Sequence, residues 1–359
     1  MEKVLIGGAG GAPTENVIRS WKAEPDCEEI VGIGSEPFDM MISSADRLYQ
    51  VPYASEPAYR KRLFEIIEKE SPCFAHFQHD MEIQTISHMR DDLEAAGIRL
   101  YLPAKETIDI CVDKGKSAEV WMREGIRIPK TMWIHNEQDL KQAFQKLGNE
   151  EGTIWLRSTK PAGGGLGALP TNDYDFAKIW IDRFHGWGSF TAAELLTKDT
   201  VTWLSLWYEG ELVVAQTRKR NSWNFGNRTL SGVTGITHVG ETCSDPVIDR
   251  IAQDTIHAID RQPHGIFGVD MTYDTSGVPN PTEINIGRFF TTVYFFAEAG
   301  LNLPVIYKNI ALHGDFPSLP KKINPLPDGL LWIRGMDRPP RLTTMEELQK
   351  QIHLMESPK

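Results

Sequence analysis

A chain of 359 residues, 41% of them hydrophobic and 24% charged, exceeds one simple core and suits two or three packed subdomains. Its formal charge of −11 argues against an extended polyanion such as DNA as partner, because phosphate contacts need clustered Lys and Arg. No stretch approaches the roughly 18 apolar residues of a membrane span, and the four cysteines (Cys27, Cys73, Cys111, Cys243) form no C-x-x-C pair and read as reduced structural thiols.

Residues 3–7 form a short apolar run ending in glycines, the pattern of a buried parallel strand. The apolar segment there is too short for a signal peptide, so a cytoplasmic location is expected. A helix is predicted from about Thr14 through Ile18 and Trp21, then a strand over 29–34. Residues 57–70 place Leu63, Ile66 and Ile67 at helical spacing between charges, an amphipathic helix. A strand over 73–77, a helix over 82–96 and a strand over 98–102 continue an alternation that implies an open parallel α/β sheet.

After Asp113 the pattern changes. A helix over 114–124 is stopped by Gly125, and a strand over 131–134, a helix over 138–147 and a strand over 153–157 lead into a glycine-rich segment. Residues 201–208 and 212–217 flank Glu209-Gly210 and read as a β-hairpin with both faces buried. A helix is predicted over 246–260, and strands over 267–273 and 281–286. The proline-rich tail from Phe316 holds one candidate strand over 329–334 and a short final helix.

Two segments carry chemistry. In the first, a strand ends in Arg157 and runs into Lys160, Gly163, Gly164, Gly165 and Gly167. Glycines let backbone N–H groups converge on phosphate oxygens, and the cations offset charge; a flexible surface hairpin is the alternative. No Walker A loop occurs. In the second, Asp270 lies in one predicted strand, and Glu283 and Asn285, two apart, share a face of the next. Three oxygen donors on one face suit Mg²⁺, or Mn²⁺ in its place; a solvated polar edge is the alternative.

A glycine loop followed by an acidic metal site on paired strands resembles the ATP-grasp superfamily, and most nearly one ATP-grasp half of the carbamoyl-phosphate synthase large subunit. The resemblance covers roughly residues 1–315 and implies ATP as the nucleotide. It implies an α/β parallel-sheet domain (1–112), an ATP-grasp small subdomain carrying the glycine loop (113–192), and a large subdomain carrying the metal site (193–315). Residues 316–359 are then a tail packed on the core. Asp113-Lys114 resembles the pair whose cation touches the phosphates, and Arg157 the second phosphate-binding cation. Ala193-Glu194-Leu195-Leu196 resembles the hinge that holds adenine through Glu194 and Leu196, with Asp199 nearest to the ribose-binding acid. The stretch 235–242 resembles the synthase segment whose histidine faces the phosphorylated intermediate, which nominates His238. The family reads Glu-x-Asn-Pro-Arg where this chain has Glu283-Ile-Asn-Ile-Gly-Arg288, so the proline is missing and the arginine displaced by one residue.

Other features are weaker. Gly7, Gly8, Gly10 and Gly11 do not give G-x-G-x-x-G, since Pro13 takes the last glycine's place. His76 and His79 read as ordinary polar or substrate-cleft residues. Arg218 and Arg220 read either as a solvated strand end or as clamps for a carboxylate, which a guanidinium binds bidentately; Trp223 and Phe225 read as pocket or core. The resemblance implies a carboxylate–amine ligase that makes an acyl phosphate from a small acid and passes it to an amine. Bicarbonate activation and a non-catalytic ATP sensor are the alternatives. Small molecules are the expected partners, with no nucleic acid and no membrane, and a homodimer is left open.

Overall fold

The computed structural model describes residues 2–159, 167–224, 226, 230, 236–335, 341–347 and 349–350. Its first part runs β1 (Lys3–Gly7), α1 (Ala12–Lys22), β2 (Glu29–Gly34), α2 (Pro37–Met40), β3 (Arg47–Gln50), α3 (Ala58–Glu70) and β4 (Phe74–His76). Three further helices follow, α4 (Asp80–His88), α5 (Arg90–Ala95) and α6 (Lys105–Cys111). The strands are parallel in the order β3-β2-β1-β4. Leu5 enters one apolar core while Val4 and Ile6 enter another, so β1 is buried on both faces and reads as an unbroken apolar run.

The sequence expectations change at three places here. Residues 98–102 form only a single bridge, Arg99 to Phe74. Beyond it the carbonyl of Tyr101 accepts from the Tyr307 hydroxyl, and those of Leu102 and Pro103 accept from Arg90, so they are lost to any ladder. The helix expected over 82–96 is two, because Met89 leaves helical geometry at φ −110°, ψ 14°. Strand β3, Arg-Leu-Tyr-Gln, is a mostly exposed edge and carries no apolar signal.

Gly7 closes β1, where an added Cβ would stand 2.3 Å from Glu82 Oε2. The glycine makes room for a buried carboxyl that accepts from the Tyr59 hydroxyl at 2.7 Å. Burial pushes this carboxyl up to about 7, and the Tyr59 bond restrains the shift. A carboxyl raised by folding holds its proton more tightly in the native state. Its contribution is therefore largest below the ordinary value of 4.5 and falls, by about 3 kcal/mol, as pH rises through about 7. Glu82→Gln is expected to flatten that slope in denaturant melts between about pH 5 and pH 8; an unaltered slope would show that Glu82 titrates normally.

The chain continues through α7 (Lys114–Arg123), β5 (Thr131–Ile134), α8 (Glu137–Leu147), β6 (Ile154–Ser158), β7 (Leu169–Thr171), α9 (Tyr174–Arg183) and β8 (Phe190–Glu194). These strands form an antiparallel sheet in the order β5-β8-β6-β7. Leu140, Ala143 and Leu147 of α8 and Ala177 and Ile181 of α9 cover one of its faces.

A larger sheet follows: β9 (Thr200–Tyr208), β10 (Glu211–Asn224), β11 (Ile236–Cys243), α10 (Pro246–Ile259), β12 (Gly265–Tyr273) and β13 (Pro279–Ile286). After α11 (Tyr294–Glu298) and α12 (Leu303–His313) come β14 (Leu330–Ile333) and β15 (Arg341–Thr344). The order is β13-β12-β9-β10-β11-β14-β15, so the proline-rich tail extends this sheet past β11. The hairpin between β9 and β10 turns on Glu209 and Gly210, both at positive φ, the geometry of a two-residue connection. Strand β10 runs seven residues beyond the expected end at Thr217. Flanked by β9 and β11, it keeps its Arg-Lys-Arg run within the ladder, and Arg218 is only 1% exposed. No helix among the described residues is long and apolar enough to cross a membrane.

Candidate active site

The site is built from one row across the large sheet. Arg218 on β10 pairs with Thr202 on β9, Thr202 with Asp270 on β12, and Asp270 with Glu283 on β13. Directly opposed residues on neighbouring strands share a face. Four strands thus deliver a cation, a hydroxyl and two carboxylates in line, and Asn285, two residues past Glu283, joins them.

Hydrogen bonds fix this row. Thr202 Oγ1 donates to Asp270 Oδ1 at 2.5 Å and accepts from Arg220 Nη2 at 2.9 Å and Arg218 Nη2 at 3.0 Å. Arg220 Nη2 also donates to Asp270 Oδ1 at 2.7 Å, and Asn285 Nδ2 donates to Asp270 Oδ2 at 3.1 Å. Arg288, just past β13, donates to Asn285 Oδ1 and to both carboxylate oxygens of Asp80 at the head of α4.

The facing wall comes from α7 and the smaller sheet. Helix α7 starts where it does because the Asp113 carboxylate caps it, accepting from Gly115 N at 2.9 Å and Lys116 N at 3.1 Å. The missing side chain of Gly115 admits Trp133, whose ring would otherwise lie 2.3 Å from a Cβ. The first residue of the helix, Lys114, then sets its Nζ 2.5 Å from Glu283 Oε2. On β6, Ile154 and Leu156 turn under the helices, so alternation turns Trp155 and Arg157 to the opposite face. Arg157 Nη2 donates to the carbonyl of Thr282 at 3.1 Å, tying the two sheets together. Lys114, with Arg157 and Arg288 behind it, holds the Glu283 carboxyl well below the usual carboxylate range in spite of burial.

Between the walls lies a cavity of about 500 Å³. Lys114, Arg157, Lys198, Arg218, Arg220 and Arg288 outnumber Asp80, Glu194, Asp270 and Glu283 around it. A strongly acidic chain therefore presents a cationic pocket. Ile128, Leu195, Leu196 and Met271 supply an apolar part of the lining, and Glu194 Oε1 accepts from Lys130 N at 3.0 Å beside them.

No protein-family model matches the sequence, and no curated protein sequence matches it. Solved structures do match. The biotin carboxylase domain of Hydrogenobacter thermophilus 2-oxoglutarate carboxylase, in complex with MgADP, ADP and bicarbonate, gives a TM-score of 0.68 at 17% identity, over 92% of this chain and 73% of that one. N5-carboxyaminoimidazole synthetase from Staphylococcus aureus, complexed with ADP, gives 0.68 at 13% identity, over 98% and 86%. The L-amino acid ligase of Bacillus licheniformis gives 0.66 at 12% identity, over 98% and 85%. The chain has the ATP-grasp fold. The likeness to carbamoyl-phosphate synthase holds at that level and no finer.

Within the ATP-grasp cleft, Lys114, Arg157, Glu194, Leu196, Arg218, Arg220, Asp270, Glu283, Asn285 and Arg288 all line the cavity. Three candidates do not. Thr237 lines it, so alternation along β11 turns His238 away; its Nδ1 meets Ser222 Oγ at 3.1 Å, and its carbonyl accepts from Arg334 N. Asp199 is exposed outside the wall, its carbonyl accepting from Tyr273 N, and its neighbour Lys198 lines the cavity instead. Gly167 sits behind the wall at φ +79°, its carbonyl accepting from Trp180 Nε1 at 3.0 Å. Lys160, Gly163, Gly164, Gly165 and Phe225 lie outside the described residues, but the stems of the glycine segment, Ser158 and Ala168, line the cavity.

Sequence reasoning missed Asp80, Thr202, Lys198 and Phe290. Asp80 opens a short helix some 200 residues before its partner Arg288, with no local mark to single it out. Thr202 had a signal: it is a polar residue amid apolar neighbours on a strand buried on both faces. Asp270, Glu283 and Asn285 offer the hard oxygen donors that Mg²⁺ prefers, on one face and beside cations suited to phosphate. Their residue chemistry fits the metal.

Proposed function

We propose that this protein is an ADP-forming ligase that phosphorylates a small carboxylate with ATP and passes the acyl group to an amine. The observation that carries this reading is the row of Thr202, Asp270 and Glu283 on one wall, facing Lys114 and Arg157 on the other. Positioning and electrostatics are what a phosphoryl transfer needs from a protein.

In this reading Lys114 and Arg157 bind the nucleotide phosphates, while Ile128, Leu195, Leu196 and Met271 enclose the base. A carboxylate oxygen of the substrate attacks the γ-phosphorus, the bond to the β,γ-bridging oxygen breaks, and ADP leaves. The amine then attacks the acyl carbon, the carbon–oxygen bond to phosphate breaks, and the amine proton passes to solvent. Magnesium held by Asp270, Glu283 and Asn285 would draw charge from the β- and γ-phosphates. Arg220 holds Asp270, and Arg288 ties Asn285 to Asp80, so the oxygen donors are oriented before nucleotide arrives.

The bicarbonate alternative drew on His238 facing the intermediate, and that side chain is turned away from the cavity. The decisive measurement is ADP release across a panel of small carboxylates paired with amines. Release that requires both an organic acid and an amine is expected. Bicarbonate-stimulated ADP release without any organic acid would overturn the assignment, and nucleotide binding without release would indicate a sensor.

A further inference from the structure

We propose that Arg218 anchors the carboxylate of the acid substrate, and that this acid is an organic carboxylate with an apolar body. The inference rests on the ligase reading above and assigns its second subsite.

Lys114 already faces Glu283, Arg220 faces Asp270, and Arg288 grips Asp80. Arg157 donates to the Thr282 carbonyl and feels the Glu283 charge, and Lys198 is exposed. Arg218 has no carboxylate of its own. Its Nη1 donates to Thr292 Oγ1 and its Nη2 to Thr202 Oγ1, both neutral hydroxyls, and its Nε has no partner. Thr202 can give nothing more, because its one proton goes to Asp270 and its lone pairs accept from Arg218 and Arg220. Arg218 is 1% exposed as a residue, and its Cζ lies 4.1 Å from the ring centroid of Phe290.

A buried cation without a counter-ion is costly, and proteins ordinarily replace it or pair it. Burial, and then the neighbouring Arg220, push the Arg218 guanidinium well below its ordinary range, and the Asp270 charge, which Arg218 meets only through Thr202, does not offset this. The fold also makes room for this side chain. A Cβ on Gly240 would come within 3.1 Å of Arg218 Cδ, so only glycine leaves the arm undisturbed. Arg218 reaches the same cavity as the phosphate-binding cations, where Phe290, Trp223 and Leu230 add apolar wall. Bicarbonate has no group to fill such a wall; an aliphatic or aromatic acid has.

The test is thermal melting of the wild-type chain and of Arg218→Met, each alone, with MgADP, and with MgADP plus isovalerate, phenylacetate or bicarbonate. Arg218→Met is expected to melt no lower than wild type when free of ligand, because it removes an unpaired buried charge and keeps an unbranched apolar stem. MgADP is expected to raise both melting points, because Lys114, Arg157 and Glu283 are retained in the variant. Isovalerate or phenylacetate is expected to add a further rise in wild type, reduced at least about tenfold in apparent affinity in the variant, the loss of one charge-assisted carboxylate bond. A variant that melts lower and still responds to the organic acids overturns the proposal and makes Arg218 structural. A wild-type chain that responds to bicarbonate, or to none of the acids, overturns it as well. Absence of any MgADP response in wild type instead overturns the ligase reading, which separates the two failures.

Discussion

Replacing Glu283 by Gln is expected to lower ATP turnover by about 10³-fold while leaving the fold intact, the scale set by removing one electrostatic stabiliser from a phosphoryl-transfer site. The substitution conserves size and removes only charge. Glu283 ends the cross-strand row and is the one carboxylate there shared with the opposite wall, through Lys114 at 2.5 Å. The Lys114 side chain keeps 22% exposure, so the ammonium left behind in the variant is hydrated rather than stranded. Circular dichroism should match wild type, and any fall in melting temperature should appear only above the usual carboxylate range, where the depressed Glu283 charge stabilises the fold. ADP release at the wild-type rate would remove Glu283 from the chemistry and leave Asp270 to be explained alone.

The second large effect is expected from Lys114→Met. Loss of a charge-assisted contact to phosphate should raise the KM for ATP by about 10- to 100-fold, the equivalent of about 1.5–3 kcal/mol. A second readout separates this from a generic defect. In the ligand-free chain the ammonium occupies Glu283 Oε2, so Lys114 competes for the oxygen that a divalent cation would use. Titration of Mn²⁺ without nucleotide, followed by electron paramagnetic resonance, should show tighter binding in the variant than in wild type. The Glu283 carboxyl, released from the cation that depresses it most, should also titrate closer to the usual range. If neither the KM nor Mn²⁺ binding moves, the pair is an ordinary exposed salt bridge, of the kind worth little.

The residues in both predictions are legible in the sequence alone. Asp270, Glu283 and Asn285 stand out because polar side chains within otherwise apolar strand segments ask for a partner, against the alternative of a solvated edge. Lys114 and Arg157 stood out through the resemblance that their order along the chain supports. Their union in one cavity rests on register, since a one-residue slip in the pairing of β12 with β13 would send Glu283 and Asn285 to the other face. The failures are equally physical. His238 was nominated by a segment likeness, but strand alternation gave the cavity position to Thr237. Asp199 and Lys198 exchanged places in a loop, where no periodicity says which side chain turns inward.

Local pattern was sufficient for β1, β2 and β4 of the first sheet, the helices with a clear apolar stripe, the β9–β10 hairpin and the paired strands β12 and β13. Each depends on a repeat of two or of 3.6 residues, or on a turn that only a few residues allow. Tertiary structure alone decided that the run at Arg218 is buried rather than solvated, because its cover comes from β9 and β11 on either side and from Phe290 above. It likewise decided that Asp80 meets Arg288 and that the proline-rich tail adds strands to the large sheet. Those outcomes depend on residues distant in the chain, and a side chain's own neighbours in sequence carry no record of what will later be laid against it.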